Sequence, residues 1–124
     1  MGEPTGRFER ADRLLDSKEF QRISREGRRI ASAEFVMLIG RSAKRGRKRL
    51  GISASRRVGN AVVRNRIKRV VREWFRDRRG QWPEDMDLLV IARRKAAGAL
   101  SGSALNQALD KTFERGERQE RATR

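Results

Sequence analysis

Arg56-Arg57-Val58-Gly59-Asn60-Ala61-Val62-Val63-Arg64-Asn65-Arg66-Ile67-Lys68-Arg69-Val70-Val71-Arg72-Glu73-Trp74-Phe75-Arg76 carries the pattern around which the rest of the chain is arranged. It reads as the end of a strand, a tight Gly-Asn entry and one long helix with two opposed faces. With Val63 at 0° and about 100° per residue, Val63, Ile67, Val70, Val71 and Trp74 fall between roughly −20° and +80°. Arg64, Asn65, Lys68, Arg69, Arg72 and Arg76 fall on the far side. One face wants a core. The other carries a row of cations at i, i+4, i+8 and i+12. From Arg56 to Arg79 there are 10 basic residues and 2 acidic ones. A solvated face normally mixes signs, because like charges one turn apart repel by ~0.2–0.5 kcal/mol per pair. A helix that accepts several such pairs calls for an external counter-charge.

Upstream, Leu50-Gly51-Ile52-Ser53-Ala54-Ser55 predicts a strand. Leu50, Ile52 and Ala54 point one way; Gly51, Ser53 and Ser55 point the other, a small polar face that something can approach closely. Ala43 to Arg49, with five cations in seven residues, predicts a hairpin loop. Phe35 to Ile39 is apolar on both sides and predicts a central strand, with Arg29-Ile30-Ala31 a short one before it. Asp16 or Ser17 can cap a short helix to about Glu26, with Phe20 and Ile23 on its apolar side and Gly27 closing it. Lys18, Arg22 and Arg25 make that helix basic too.

Downstream, the long helix ends near Gly80, and Trp82-Pro83 starts a loop. Met86 to Ala92 predicts an interior strand, apolar on both faces. Arg93-Arg94-Lys95 follows it. Ser101 or Ser103 starts a last helix with Leu105, Leu109 and Phe113 at i, i+4 and i+8. Residues 116–124 and 1–12 predict flexible tails. The order is therefore α-β-β-β-α-β-α in a single domain over residues 1–124. The strand–long helix–strand unit makes the last strand parallel to the one at 50–55. The result is a mixed four-stranded sheet with helices packed on one side.

The chain has 124 residues, a net charge of +16, and neither cysteine nor histidine. That excludes disulfides, Cys/His zinc sites, thiol nucleophiles and imidazole acid–base chemistry. Residues 28–82 hold 18 basic and 3 acidic side chains, while the segments on either side are nearly balanced. A field so concentrated suits a polyanion, with nucleic acid ahead of an anionic membrane. No apolar run reaches the ~18 residues of a membrane span, and the first residues lack the apolar stretch of a secretory signal. The expectation is a cytoplasmic protein with no membrane partner.

Three further features bear on chemistry. Asn65, between Arg64 and Arg66, can read a base edge or a 2′-hydroxyl, or be a plain exposed amide. Phe20 can be core, or can stack a base at the edge of a groove beside Ser53 and Ser55. Glu84, Asp85 and Asp87 could suggest Mg²⁺, but no second carboxylate group completes a site, so a solvated acidic loop is the expectation. No serine has a base to activate it. The chain alone holds no catalytic site.

Arg56 to Arg69, with its Arg64-Asn65-Arg66 core, resembles the signature of the bacterial ribonuclease P protein component. Phe20 to Gly27, Phe35-Val36, Gly51, Ser53, Ser55 and Leu89-Val90-Ile91-Ala92-Arg93 agree in order, over roughly residues 8–115. The resemblance implies an α/β (α+β) two-layer sandwich like the second domain of ribosomal protein S5. It also implies a left-handed β-α-β crossover, against the right hand found in about 98% of such units. It implies the small subunit of a ribonucleoprotein endoribonuclease that removes the 5′ leader of precursor tRNA. Catalytic Mg²⁺ would then be held mainly by the RNA subunit, with no metal site in the protein. The partners implied are the ribonuclease P RNA and precursor tRNA. Arg56, Arg57, Arg64, Asn65, Arg66, Lys68, Arg69 and Arg72 match the RNA-binding positions. Phe20, Val36, Ser53, Ser55 and Arg93 match the leader cleft between sheet and first helix, with Arg56 at its side. Two positions depart from the pattern: Ser24 stands where members often have a second aromatic, and Leu38 where some have tyrosine. The alternative is a basic RNA-binding or ribosome-associated protein without enzymatic context.

Overall fold

A computed structural model describes residues 17–41, 48–82, 85–98 and 101–122. The elements are α1 (Ser17–Glu26), β1 (Arg28–Ala31), β2 (Phe35–Arg41), β3 (Arg49–Ser53), α2 (Ala61–Arg78), β4 (Met86–Ala92) and α3 (Gly102–Ala122). Short 3-10 turns follow α2 at Arg79–Gln81 and β4 at Arg94–Gly98. The sheet order is β1-β2-β4-β3. β4 pairs antiparallel with β2 and parallel with β3.

Two expectations about the sheet change. The segment 43–49 does not close a hairpin between neighbours, because β4 lies between β2 and β3. A strand apolar on both faces belongs in the interior, and the crossover through α2 delivers β4 there. Arg49 is not a loop cation but the first residue of β3, and it is buried. Residues 43–47 of that predicted loop lie outside the described residues, as do Asp16, Pro83, Glu84 and the tail 1–12.

The helices cover both faces. Phe35, Met37, Ile39, Leu50, Ile52, Leu88 and Val90 point toward α2 and α3 and form the main core with Ile67, Val70, Val71, Trp74, Leu105, Leu109 and Phe113. On the opposite face Ile23 and Phe20 of α1 pack on Leu38, Leu89 and Ile91. "Helices on one side" therefore holds for α2 and α3 only. The alternation of β2 and β3 is as the period of two requires.

Asn60 caps α2, its side chain accepting from the Val63 amide at 3.0 Å. At the far end Lys48 Nζ donates to the Arg79 carbonyl at 2.5 Å, a cation where the helix end is negative. Trp74 Nε1 donates to Asp110 Oδ1 at 2.9 Å, and Arg78 bonds the same carboxylate, fastening α2 to α3. Trp82 follows the 3-10 turn, outside any helix or strand as expected, but it is buried, its ring stacked on Phe113 with centroids 4.7 Å apart. Ser101 stands just before α3, its Oγ accepting from the Ala104 amide at 3.0 Å. The helix runs to Ala122, past residue 116 where the sequence predicts a tail. Gly116 lies so close to Ile30 that a Cβ there has no room.

Candidate RNA interface

The pairing registers lay out the face under α1 as a grid. One row across β1, β2, β4 and β3 reads Ala31, Val36, Ile91, Ser53. The next reads Arg29, Leu38, Leu89, Gly51. The third, from β2 to β3, reads Gly40, Asp87, Arg49. α1 sits over the second and third rows, since Ile23 packs on Leu38 and Leu89 and passes over Gly40. The first row is left beside it, with Phe20 as the wall, half-buried against the Leu38–Leu89 cluster with Ile91. Adjacent strands lie about 4.8 Å apart, so Val36 to Ser53 spans roughly 10 Å across the sheet.

Phe20, Val36 and Ser53, far apart in the chain, thus come together along one groove. Val36, at 7% exposed, forms floor rather than rim. Ser55 and Arg93 each stand two residues beyond a member of that row, and both are exposed. The Arg93 guanidinium donates to the Ser32 carbonyl at 2.8 Å, which holds it at the groove's open end. A turn closed by the Val58 amide donating to the Ser55 carbonyl at 3.0 Å carries exposed Arg56 and Arg57 toward the start of α2. Ile91 is the groove residue the sequence does not single out. Its side follows from Leu89 two residues earlier, but its place between Val36 and Ser53 needs the register.

Of the two departures from the family pattern, Ser24 is exposed on α1 and Leu38 lies beneath Ile23. Leu38 therefore holds the helix down; the open row runs beside it.

Asp87 is the plainest correction. The strand Met86–Ala92 forms as expected, yet Asp87, grouped in the sequence with a solvated acidic cluster, is fully buried within it. Arg49 Nε and Nη2 each donate to its carboxylate at 2.9 Å. Arg22 Nη2 of α1 donates to Oδ2 at 2.6 Å. Glu19 of α1 pairs with Arg49 from above. Burial alone would lower the proton affinity of the Arg49 guanidinium; Asp87 and Glu19 more than offset this and hold it above its ordinary value. A buried charge persists only when paired in this way. A carboxylate held by two guanidiniums is a poor Mg²⁺ ligand, and among the described residues no group of three acidic side chains could hold a metal.

On α2 the outward face is somewhat rotated from the wheel's expectation. Asn65, Arg66 and Arg69 are exposed, while Arg64, Lys68 and Arg72 are half-buried flanks. The cause is Phe75, at about 120° on the same wheel. It is buried and widens the core face toward Arg64 and Lys68. Arg64 Nε also turns back to the Gly59 carbonyl at 3.1 Å. Among the described residues no helix is long and apolar enough to cross a membrane.

The family model described as Ribonuclease P matches residues 8–117. The Ribonuclease P protein component of Shouchella clausii is 42% identical over 89 residues, covering 72% of this chain and 73% of the relative. That of Desulfosudis oleivorans is 41% identical over 112 residues, covering 90% and 91%. The Staphylococcus aureus RNase P protein superposes with a TM-score of 0.79 at 33% identity, covering 86% of this chain and 96% of that one. Its open mixed sheet and three helices are those described above. The chain belongs to the ribonuclease P protein family and is the protein subunit of that tRNA-processing ribonucleoprotein endonuclease.

Proposed function

We propose that the groove formed by Val36, Ile91 and Ser53 and walled by Phe20 takes the single-stranded 5′ leader of precursor tRNA, while the outward cations of α2 hold the ribonuclease P RNA. The observation that carries this reading is the convergence of Val36, Ile91 and Ser53, distant in sequence, on one row beside α1, with Phe20 of α1 as its wall. An aromatic wall and an apolar floor accept bases without reading them. Stacking on such a ring is worth about 1–3 kcal/mol per base and tolerates any sequence. Ser53 and Ser55 supply hydroxyls. Arg56 and Arg93 stand at the groove's end, where backbone phosphates would run.

Asn65, Arg66 and Arg69 present cations and one amide on a rigid helix, which suits phosphates of a folded RNA. Arg57, Arg64, Lys68 and Arg72 extend the same field along its flanks. The two surfaces meet where β3 and β4 end and α2 begins, so one continuous basic strip can bridge two RNAs that repel each other. Lowering that repulsion is how a chain without a catalytic group assists cleavage. Mg²⁺ in this reading serves the RNA subunit, and the working compartment is the cytoplasm.

Reconstitution tests it. Adding the protein to a bacterial ribonuclease P RNA at low Mg²⁺ should stimulate 5′ processing and tighten precursor tRNA binding more than mature tRNA binding. An absence of stimulation, or an equal gain for both substrates, contradicts it.

A further inference from the structure

Arg22, Arg49 and Asp87 touch neither the groove row nor the outward face of α2, yet Arg49 and Asp87 are the buried charged pair among the described residues, with Arg22 half-buried against them. Asp87 has no exposed surface and Arg49 only 3%. Ion pairs this dry contribute little net stability compared with apolar side chains of the same volume. What they add is direction. The apolar contact of Ile23 on Leu38 and Leu89 attracts α1 to the sheet but does not fix its rotation. Charge-assisted hydrogen bonds have defined geometry.

On α1, Arg22 and Phe20 lie roughly 160° apart around the axis, with Ile23 between them. The helix is therefore fastened along one flank and presents its aromatic along the other. Arg22 holds Asp87 at 2.6 Å and also reaches the Arg41 carbonyl at 3.3 Å. Glu19, on the same flank, holds Arg49. Arg49 and Asp87 are direct cross-strand partners of β3 and β4, so the anchor is tied to the two strands that carry Ser53 and Ile91. Rolling α1 about Ile23 would swing Phe20 toward or away from Ile91.

We propose that Asp87, gripped by Arg22 and Arg49, is the positioning anchor that sets the roll of α1 and so the place of Phe20 over the groove; this rests on the leader reading above. These residues act through Phe20 and make no RNA contact of their own.

Charge separates positioning from electrostatics. Asp87→Asn raises the net positive charge by one, so a purely electrostatic role predicts tighter binding of every RNA. Positioning predicts the reverse for precursor tRNA alone. The experiment measures affinity of the reconstituted holoenzyme for precursor and for leaderless tRNA, with Asp87→Asn, Arg22→Met and Phe20→Ala, beside affinity for the RNA subunit. The precursor-over-leaderless ratio should fall roughly 2- to 30-fold in Asp87→Asn and Arg22→Met, the range for changes that shift a site without touching its ligand. Affinity for the RNA subunit and for leaderless tRNA should hold. Arg22→Met keeps the Arg49–Asp87 pair, so it decides the matter even where Asp87→Asn does not fold. Equal losses for both substrates in Arg22→Met would make Arg22 a phosphate contact and overturn the anchor. An unchanged ratio in Arg22→Met with a lowered ratio in Phe20→Ala overturns the anchor while the groove stands. An unchanged ratio in Phe20→Ala overturns the groove reading itself.

Discussion

Arg66 and Arg69 stand on the exposed side of α2, and Ile67 between them is fully buried. One turn of helix thus separates two kinds of free energy. Arg66→Ala and Arg69→Ala should each lower the salt slope of RNA binding by about one, with the fold unchanged. Titrating binding against salt concentration checks this; unchanged slopes in both would mean these cations face solvent. Ile67→Ala should destabilise the fold by ~2–5 kcal/mol through lost burial and an unfilled cavity, measured by denaturant unfolding. The buried and cationic sides of α2 are legible from periodicity alone. Phe75 is the exception: it sits at the seam between the two faces, where a wheel cannot say whether an aromatic is covered. Only the packing of Trp82 against it, with ring centroids 5.4 Å apart, resolves it.

At the scale of elements, α1 depends on a close approach as well as on its anchor. A Cβ on Gly27 would lie 2.5 Å from the Ile23 carbonyl and 3.1 Å from the Ile39 carbonyl, both backbone atoms that cannot step aside. Gly27→Ala should therefore cost ~1–3 kcal/mol in unfolding experiments and loosen α1. Gly80→Ala, where a Cβ would have open space, should cost nothing measurable. The existence and type of every α-helix and strand follow from the sequence, because each has a clean period or a cap such as Asn60 or Ser101; the two 3-10 turns do not. Of their neighbours, the parallel pairing of β4 with β3 follows from the strand–helix–strand unit, but the rest do not. Insertion of β4 between β2 and β3 depends on a crossover that local pattern does not encode, and with it goes the fate of Asp87 and Arg49. An aspartate beside Glu84 and Asp85 reads as surface, and an arginine ending a basic run reads as loop. Each is buried because the other is there.

For the whole molecule, one sheet separates two surfaces: the groove beside α1 on one face and the basic α2 on the other, joined at the turn carrying Arg56 and Arg57. The excess of positive charge in the middle of the chain is enough by itself to call for a polyanion partner. The groove is less legible. Phe20 and Ser53 are candidates from the residues themselves and Val36 from the family resemblance, whereas Ile91 and its row exist only once the strands are in register. Above all, the two surfaces are expected to meet different RNAs. A photo-crosslinker placed at position 20 or position 66 of the reconstituted holoenzyme, bound to precursor tRNA, tests this directly. Crosslinks should run from position 20 to leader nucleotides and from position 66 to the RNA subunit. Crosslinks from position 20 to the RNA subunit, or from both positions to the same RNA, would contradict it.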